Sequence, residues 1–183
     1  MRHSNPQLRY SHLDEQSVNR IAEIDRSEEI FEQYKLVGGK LERVPFRVSV
    51  DDFDPNELNE MIIRQQKIIQ NGGTVIGAFD WKKLAGVASV ENVRLGAQKQ
   101  FVKMDILYVD KQYRKAGVGN KLLTLCQERA LLFGADKLYI SATPTCDTVD
   151  FYMKRGAALT NEIIPMLFEL EPLDIHLQLA LEK

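Results

Sequence analysis

The sequence predicts an α+β fold, a mixed and mostly antiparallel sheet with helices on its faces. Three observations carry this expectation. Extended runs over residues 74–79, 84–91 and 100–109 follow one another as in an antiparallel meander. From residue 100 onward, strand-like and helix-like runs alternate as β-α-β-α-β. Between the meander and the first of those helices lies a short loop carrying Gly117 and Gly119.

The elements follow in order. Residues 7–13 read as an edge strand, and Ser17 as the N-cap of a helix with Val18, Ile21, Ala22 and Ile24 on one face. Two extended runs meet at Gly38-Gly39. In the second, Val44, Phe46, Val48 and Val50 alternate as in a half-buried strand, and Pro45 places it at an edge. Asp54-Pro55-Asn56-Glu57 starts a helix, with an Asp cap, Pro at the first position and an acid at the third. Leu58, Met61, Ile62, Gln65, Ile68 and Ile69 recur at helical spacing, and Asn71-Gly72-Gly73 stops the run. After the meander, a helix is expected over about 117–133, a strand over 137–142 and a short helix over 148–155. Strands near 162–170 and 175–181 end the chain.

Composition bounds the function. The chain has 183 residues, enough for one sizeable core, and the expectation is a single domain over residues 1–183. Twenty-four Lys and Arg against 26 Asp and Glu leave a net charge of -2, which argues against a dedicated binder of nucleic acid or anionic membrane. No apolar run is long enough for a membrane-spanning helix, and the first residues lack a secretory pattern. Two cysteines make no disulfide framework, so a reduced, cytoplasmic setting fits. The spacing of His and Cys suggests no metal site.

The chemistry lies between Ile106 and Asn120. Here a hydrophobic strand runs into a glycine loop that opens a helix. The first amides of a helix have no internal partner and carry the positive end of its dipole, so they make a site for phosphate. Arg114 and Lys115 add positive charge. The P-loop pattern is absent, and the dinucleotide pattern GxGxxG fails because Leu122 stands at its third glycine. What matches is [RQ]-x-x-G-x-[GA], filled by Arg114, Gly117 and Gly119, with Phe151-Tyr152 and Gly156-Ala157 beyond the next strand.

In this stretch the sequence resembles the GNAT superfamily of acyl-CoA-dependent N-acyltransferases. The resemblance is close over about 100–159, fair over 74–91 and the last strands, and loose before residue 74. Ile24-Asp25-Arg26-Ser27-Glu28 also looks like the first-helix segment of some bacterial members. The resemblance implies a GNAT-like sheet of about seven strands and acetyl-CoA, or coenzyme A, as co-substrate. It implies that the backbone of Leu107, Tyr108 and Val109 holds the pantetheine arm. The diphosphate would rest on the amides of Arg114, Lys115, Ala116, Gly117, Val118 and Gly119, with Asn120 at the edge. Thr145 stands where the family often has an Asn that contacts the cofactor.

The resemblance also implies that Tyr152 protonates the departing thiolate. An amine nucleophile must first lose a proton. Asp105 is one candidate base: it lies two residues before Leu107, hence on the same strand face, where burial is expected to raise its pKa. Glu28 is the rival, and a water chain without a dedicated base is the third course. Cys146 has no basic neighbour in sequence and reads as inert. Acids near residues 25–32, 51–54 and 169–174 would attract a cationic acceptor, and they equally suit a solvated surface. The expected function is acetyl transfer to a primary amine of a small molecule or peptide by direct attack. The alternative is a non-catalytic acyl-CoA sensor or interaction module, pairing through the edge near Val44–Val50; a homodimer stays open.

Overall fold

The structure is a computed structural model, and it describes residues 8–182. A seven-stranded sheet runs in the order β1-β4-β5-β6-β7-β9-β8. Its strands are β1 (Arg9–His12), β4 (Thr74–Asp80), β5 (Lys83–Val90), β6 (Phe101–Val109), β7 (Lys137–Ala142), β8 (Ala158–Leu159) and β9 (Ile175–Ala180). Only β6 and β7 pair in parallel; every other neighbouring pair is antiparallel. β1 is the expected edge strand, and Gln7 at the head of that run lies outside the described residues.

The pleat divides the apolar residues between two cores. Ile76, Ala88 and Val90 pack with Leu122, Cys126, Val149 and Tyr152, beneath helices α2 (Val118–Leu132) and α3 (Cys146–Met153). On the other face, Val75, Leu84 and Val87 pack with Met61 and Ile68 of helix α1 (Pro55–Gln70). Val18, Ile21 and Ile24 join that second core from a 3-10 helix, Ser17–Glu23. Asp54 caps α1 as expected, its carboxylate accepting from the amides of Asn56 and Glu57.

Two expectations are corrected, and one element takes a separate place. The first helical run is 3-10 rather than α, and Asp14, not Ser17, receives the free amides, at 3.1 Å from Gln16 and 2.8 Å from Ser17. The strand expected near 162–170 is instead helix α4 (Pro165–Leu170), with Pro165 at its first position, where a missing N–H costs nothing. The two extended runs around Gly38-Gly39 do not join the main sheet. They form a separate hairpin of β2 (Glu28–Val37) and β3 (Lys40–Val50). This hairpin leans on the main body where the Tyr34 amide donates to the Pro144 carbonyl at 2.7 Å.

Candidate functional site

Among the described residues the β6–β7 ladder ends with Met104 opposite Ile140. Beyond it β7 follows β9, with Ser141 opposite His176 and Ala142 opposite Ile175. β6 meanwhile stays with β5, with Leu107 opposite Ala88 and Val109 opposite Gly86. A cleft therefore opens between two strands that were neighbours. Leu107, Tyr108 and Val109 present to it a backbone edge that pairs with no strand, although the Val109 carbonyl accepts from Arg114 Nε at 3.2 Å. Such an edge is a template for an extended, amide-bearing chain.

The loop at the end of β6 is held from below. Asp110 is fully buried, caps the 3-10 turn Lys111–Tyr113, and pairs with Lys83 at 2.9 Å. These contacts hold its carboxyl below the usual range against the opposing effect of burial. The chain then reaches the N-terminus of α2 through Lys115 and Gly117, both with positive φ. Gly117 caps the helix without a side-chain hydrogen bond, so the first amides of α2 stay open. The two motif glycines differ in purpose. A Cβ on Gly117 would meet nothing within 4 Å, but its φ of +84° disfavours any other residue. A Cβ on Gly119 would lie 3.2 Å from the Phe151 ring, so there glycine permits close packing of α2 on α3. Lys115, Ala116, Gly117 and Asn120 are exposed, whereas the Val118 side chain is core.

The guanidinium of Arg114 does not turn to the loop's open amides. It donates to the carbonyls of Arg26 at 2.8 Å, Ser27 at 3.3 Å and Val109 at 3.2 Å, and stands 3.5 Å from Glu28. The positive charge expected there for a phosphate is thus engaged elsewhere. Residues 25–27 are a loop rather than a helix, and Glu28 begins β2. Lys111 binds the same loop through Asp25 at 2.6 Å.

Tyr152 is 6% exposed, in the core beneath the cleft. Its ring meets Phe151 edge-on, with centroids 5.0 Å apart. Among the described residues its hydroxyl has no hydrogen-bond partner, and burial pushes its pKa above the ordinary tyrosine value. Thr145 caps α3, its Oγ1 accepting from the Thr148 amide at 3.3 Å and meeting Thr148 Oγ1 at 2.8 Å. The helix starts two residues earlier than expected because this cap precedes it, and the hydroxyl is already spent on capping. Cys126 and Cys146 are buried free thiols; burial pushes Cys126 up to about 12 and raises Cys146 as well.

Asp105 departs most from expectation. The β5–β6 register shifts by one residue between Ala88 and Val90, so that Ser89 faces both Asp105 and Ile106. This bulge resets the alternation of side chains. Leu107 packs with the α2 core, while Ile106 packs with the α1 core. The Asp105 carboxylate also turns to α1, taking Arg64 Nε and Gln65 Nε2 at 2.8 Å each, and Lys103 Nζ at 2.8 Å. It does not share a face with Leu107. Burial raises its pKa, but Lys103 and Arg64 outweigh that, and the carboxyl sits below its ordinary value. The raised pKa expected of a base is not found.

Lys154 and Arg155 were missed by the sequence reading. With Asn120, Leu123, Thr124 and Gln127 they line an open cavity of about 490 Å³ beside the α2 N-terminus. Arg155 lies 3.8 Å over the Phe151 ring and its guanidinium donates to the Asn120 side chain. The signal was a pair of bases just before Gly156. Among the described residues no group of three or more His, Cys, Asp and Glu is placed to hold a metal ion. No described helix is long and apolar enough to cross a membrane.

Residues 45–162 match the family model described as an acetyltransferase (GNAT) domain. Among curated proteins, none matches the sequence significantly. Among solved structures, nourseothricin acetyltransferase superposes with a TM-score of 0.72 at 16% identity, over 96% of this chain and 99% of the other. A candidate streptothricin acetyltransferase from Bacillus anthracis, in complex with acetyl coenzyme A, gives 0.73 at 17% identity over 96% and 99%. PaiA N-acetyltransferase from Thermoplasma acidophilum, in complex with coenzyme A, gives 0.61 at 14% identity over 95% and 99%.

Proposed function

Because the chain belongs to the GNAT family of acetyltransferases, we propose that it moves the acetyl group of acetyl-CoA to a primary amine by direct attack in a ternary complex. The observation that carries this reading is the junction of an unpaired strand edge at Leu107–Val109 with the uncapped N-terminus of α2. The edge suits the amides of a pantetheine arm, and the open amides at the start of α2 suit a diphosphate. Structural neighbours solved with acetyl-CoA or CoA support the same co-substrate. Lys154 and Arg155, beside Asn120, supply positive charge where the cavity continues past the loop.

In the reaction the amine nitrogen bonds to the thioester carbonyl carbon, and the C–S bond breaks with its electron pair passing to sulfur. A strand N–H polarises the carbonyl oxygen. Tyr152 gives its proton to the leaving thiolate. Its raised pKa does not by itself forbid this, because the dry site that disfavours tyrosinate also disfavours thiolate. Asp105, held as an anion by Lys103 and Arg64, is a weak proton acceptor. We assign it the task of drawing a cationic acceptor towards the cleft; the proton of the reacting amine leaves through Glu28, at the start of β2, or through water.

Calorimetric titration with acetyl-CoA, beside CoA and ATP, tests the first half of this reading. Micromolar binding of acetyl-CoA with little ATP binding is expected. A screen for CoA release across amines then tests transfer. Failure to bind any of the three would remove the loop's assigned task.

A further inference from the structure

Beyond the bulge in β6, charged side chains of α1, of β6 and of the turn between α4 and β9 act on one another in one corner. Asp105 sits at its centre, with Lys103, Arg64 and Gln65 on it. Glu91 stands 3.9 Å from Lys103. Glu171 acts electrostatically on Lys103, Arg64 and Asp174, and Asp174 also senses Lys103, which places both acids in the same corner. Four carboxylates thus face two cations. His176 is beside them, its Nε2 3.2 Å from the Glu171 carbonyl, and burial favours its neutral form.

Three unsatisfied groups of this corner are acceptors, and the buried, unpartnered Ser89 hydroxyl opposite the bulge can accept as well as donate. Gln65 is completely buried; its Nε2 donates to Asp105, and its Oε1 has no partner among the described residues. Glu171 Oε2 is buried and equally unpartnered. The Asp174 carboxylate has no hydrogen bond or ion pair among the described residues, and burial beside Glu171 pushes it up to about 6. A buried acceptor without a donor carries a desolvation cost that a ligand can remove. The complementary ligand has positive charge and several N–H groups on one atom. A primary ammonium, with three donors, fits; an anion or an apolar group does not.

The corner also stands at a definite place. β6 leaves β7 at Met104, so Asp105 is the first residue past the fork. Leu107, on the unpaired edge, lies two residues further along, at most about 6.6 Å because the bulge shortens the step from ordinary strand rise. A chain of four or five methylenes spans that distance.

Resting on the acyl-transfer reading above, we propose that the corner formed by Gln65, Asp105, Glu171 and Asp174 is a second cation site, which seats the distal ammonium of a diammonium or polyammonium acceptor while a nearer primary amine of the same molecule is acetylated. The acceptor class is then a linear diamine, a polyamine or a lysine-like group carrying a second amine.

The test compares pentane-1,5-diamine with pentylamine, which keeps the chain and removes one ammonium. Each is titrated by calorimetry into the protein saturated with CoA, which cannot react. The diamine is expected to bind about 10-fold or more tightly than pentylamine, as charge-assisted hydrogen bonds to a buried site would give. In Glu171→Gln and Asp174→Asn that preference should shrink severalfold. Equal affinities, binding of neither amine, or an undiminished preference in both variants would overturn the proposal. Its failure is separable from that of the acetyl-transfer reading. CoA release from acetyl-CoA with monoamines but no diamine preference removes only the cation site. Preferential diamine binding without CoA release from any amine removes only the transfer.

Discussion

Arg114 Nη2 donates to the main-chain carbonyl of Arg26 at 2.8 Å, across 88 residues of sequence. The same side chain holds the Ser27 carbonyl and approaches Glu28. The loop read as the phosphate site is thereby tied to the start of β2. Arg114→Ala should raise the KM for the amine about 10-fold, because several hydrogen bonds to one segment are lost together. The KM for acetyl-CoA should change less than about 3-fold, since the phosphate site proposed for it is built from backbone amides. Steady-state kinetics with each substrate varied in turn reads the split. A larger effect on acetyl-CoA would mean that the guanidinium serves the phosphates after all.

Gly117 and Gly119 should fail in different ways. Gly117→Ala places a side chain in the left-handed region and is expected to cost about 1 kcal/mol of stability. Gly119→Ala drives a methyl towards the Phe151 ring, 3.2 Å away, and should lower acetyl-CoA affinity by shifting α2. Adding Phe151→Leu should restore part of that affinity in the Gly119 variant and none in the Gly117 variant. Thermal melts and calorimetry distinguish the two mechanisms.

Tyr152→Phe removes a hydroxyl that makes no hydrogen bond among the described residues. Stability should be unchanged or slightly raised, because no partner is orphaned. The kcat should fall by about 10²-fold if the phenol is the acid, with acetyl-CoA affinity preserved. An unaltered kcat would remove that role from Tyr152.

Asp174 has a folded pKa of about 6, above its ordinary value. The folded state thus holds this proton more tightly than the unfolded chain. The group costs stability above pH 6, where it is charged in a half-buried site, and that cost fades as pH falls through 6 towards 4. Asp174→Asn should therefore stabilise the protein at pH 8, by about 1 kcal/mol after allowing for solvent screening, and by much less at pH 5. Melts across that range give the sign directly.

Thr145→Val tests a structural role. The cap on α3 should be lost at a cost of about 1 kcal/mol, and acetyl-CoA affinity should stay within about 2-fold, since the hydroxyl is already held by Thr148. A large loss of affinity would return Thr145 to the cofactor contacts.

Local signals in the chain were sufficient for much of this molecule. The alternation at 74–109, the Asp54-Pro55 start and the Gly117–Gly119 loop each act through neighbours a few residues away, and each appears close to its expected place. The strand expected near 162–170 was misread because an apolar run of that length suits either element, and Pro165 resolved it towards a helix. What only the tertiary structure decided depends on distant partners. A one-residue bulge against Ser89 turned Asp105 from the cleft face to α1, where Arg64 and Gln65, about 40 residues away, hold it as an anion. Burial alone would have raised that carboxyl; two cations lowered it. The same holds for Arg114, whose direction is set by carbonyls of residues 26 and 27. Periodicity determines which faces are apolar, but a pKa or a guanidinium's partner is set by which distant groups the packed sheet brings within a few ångströms.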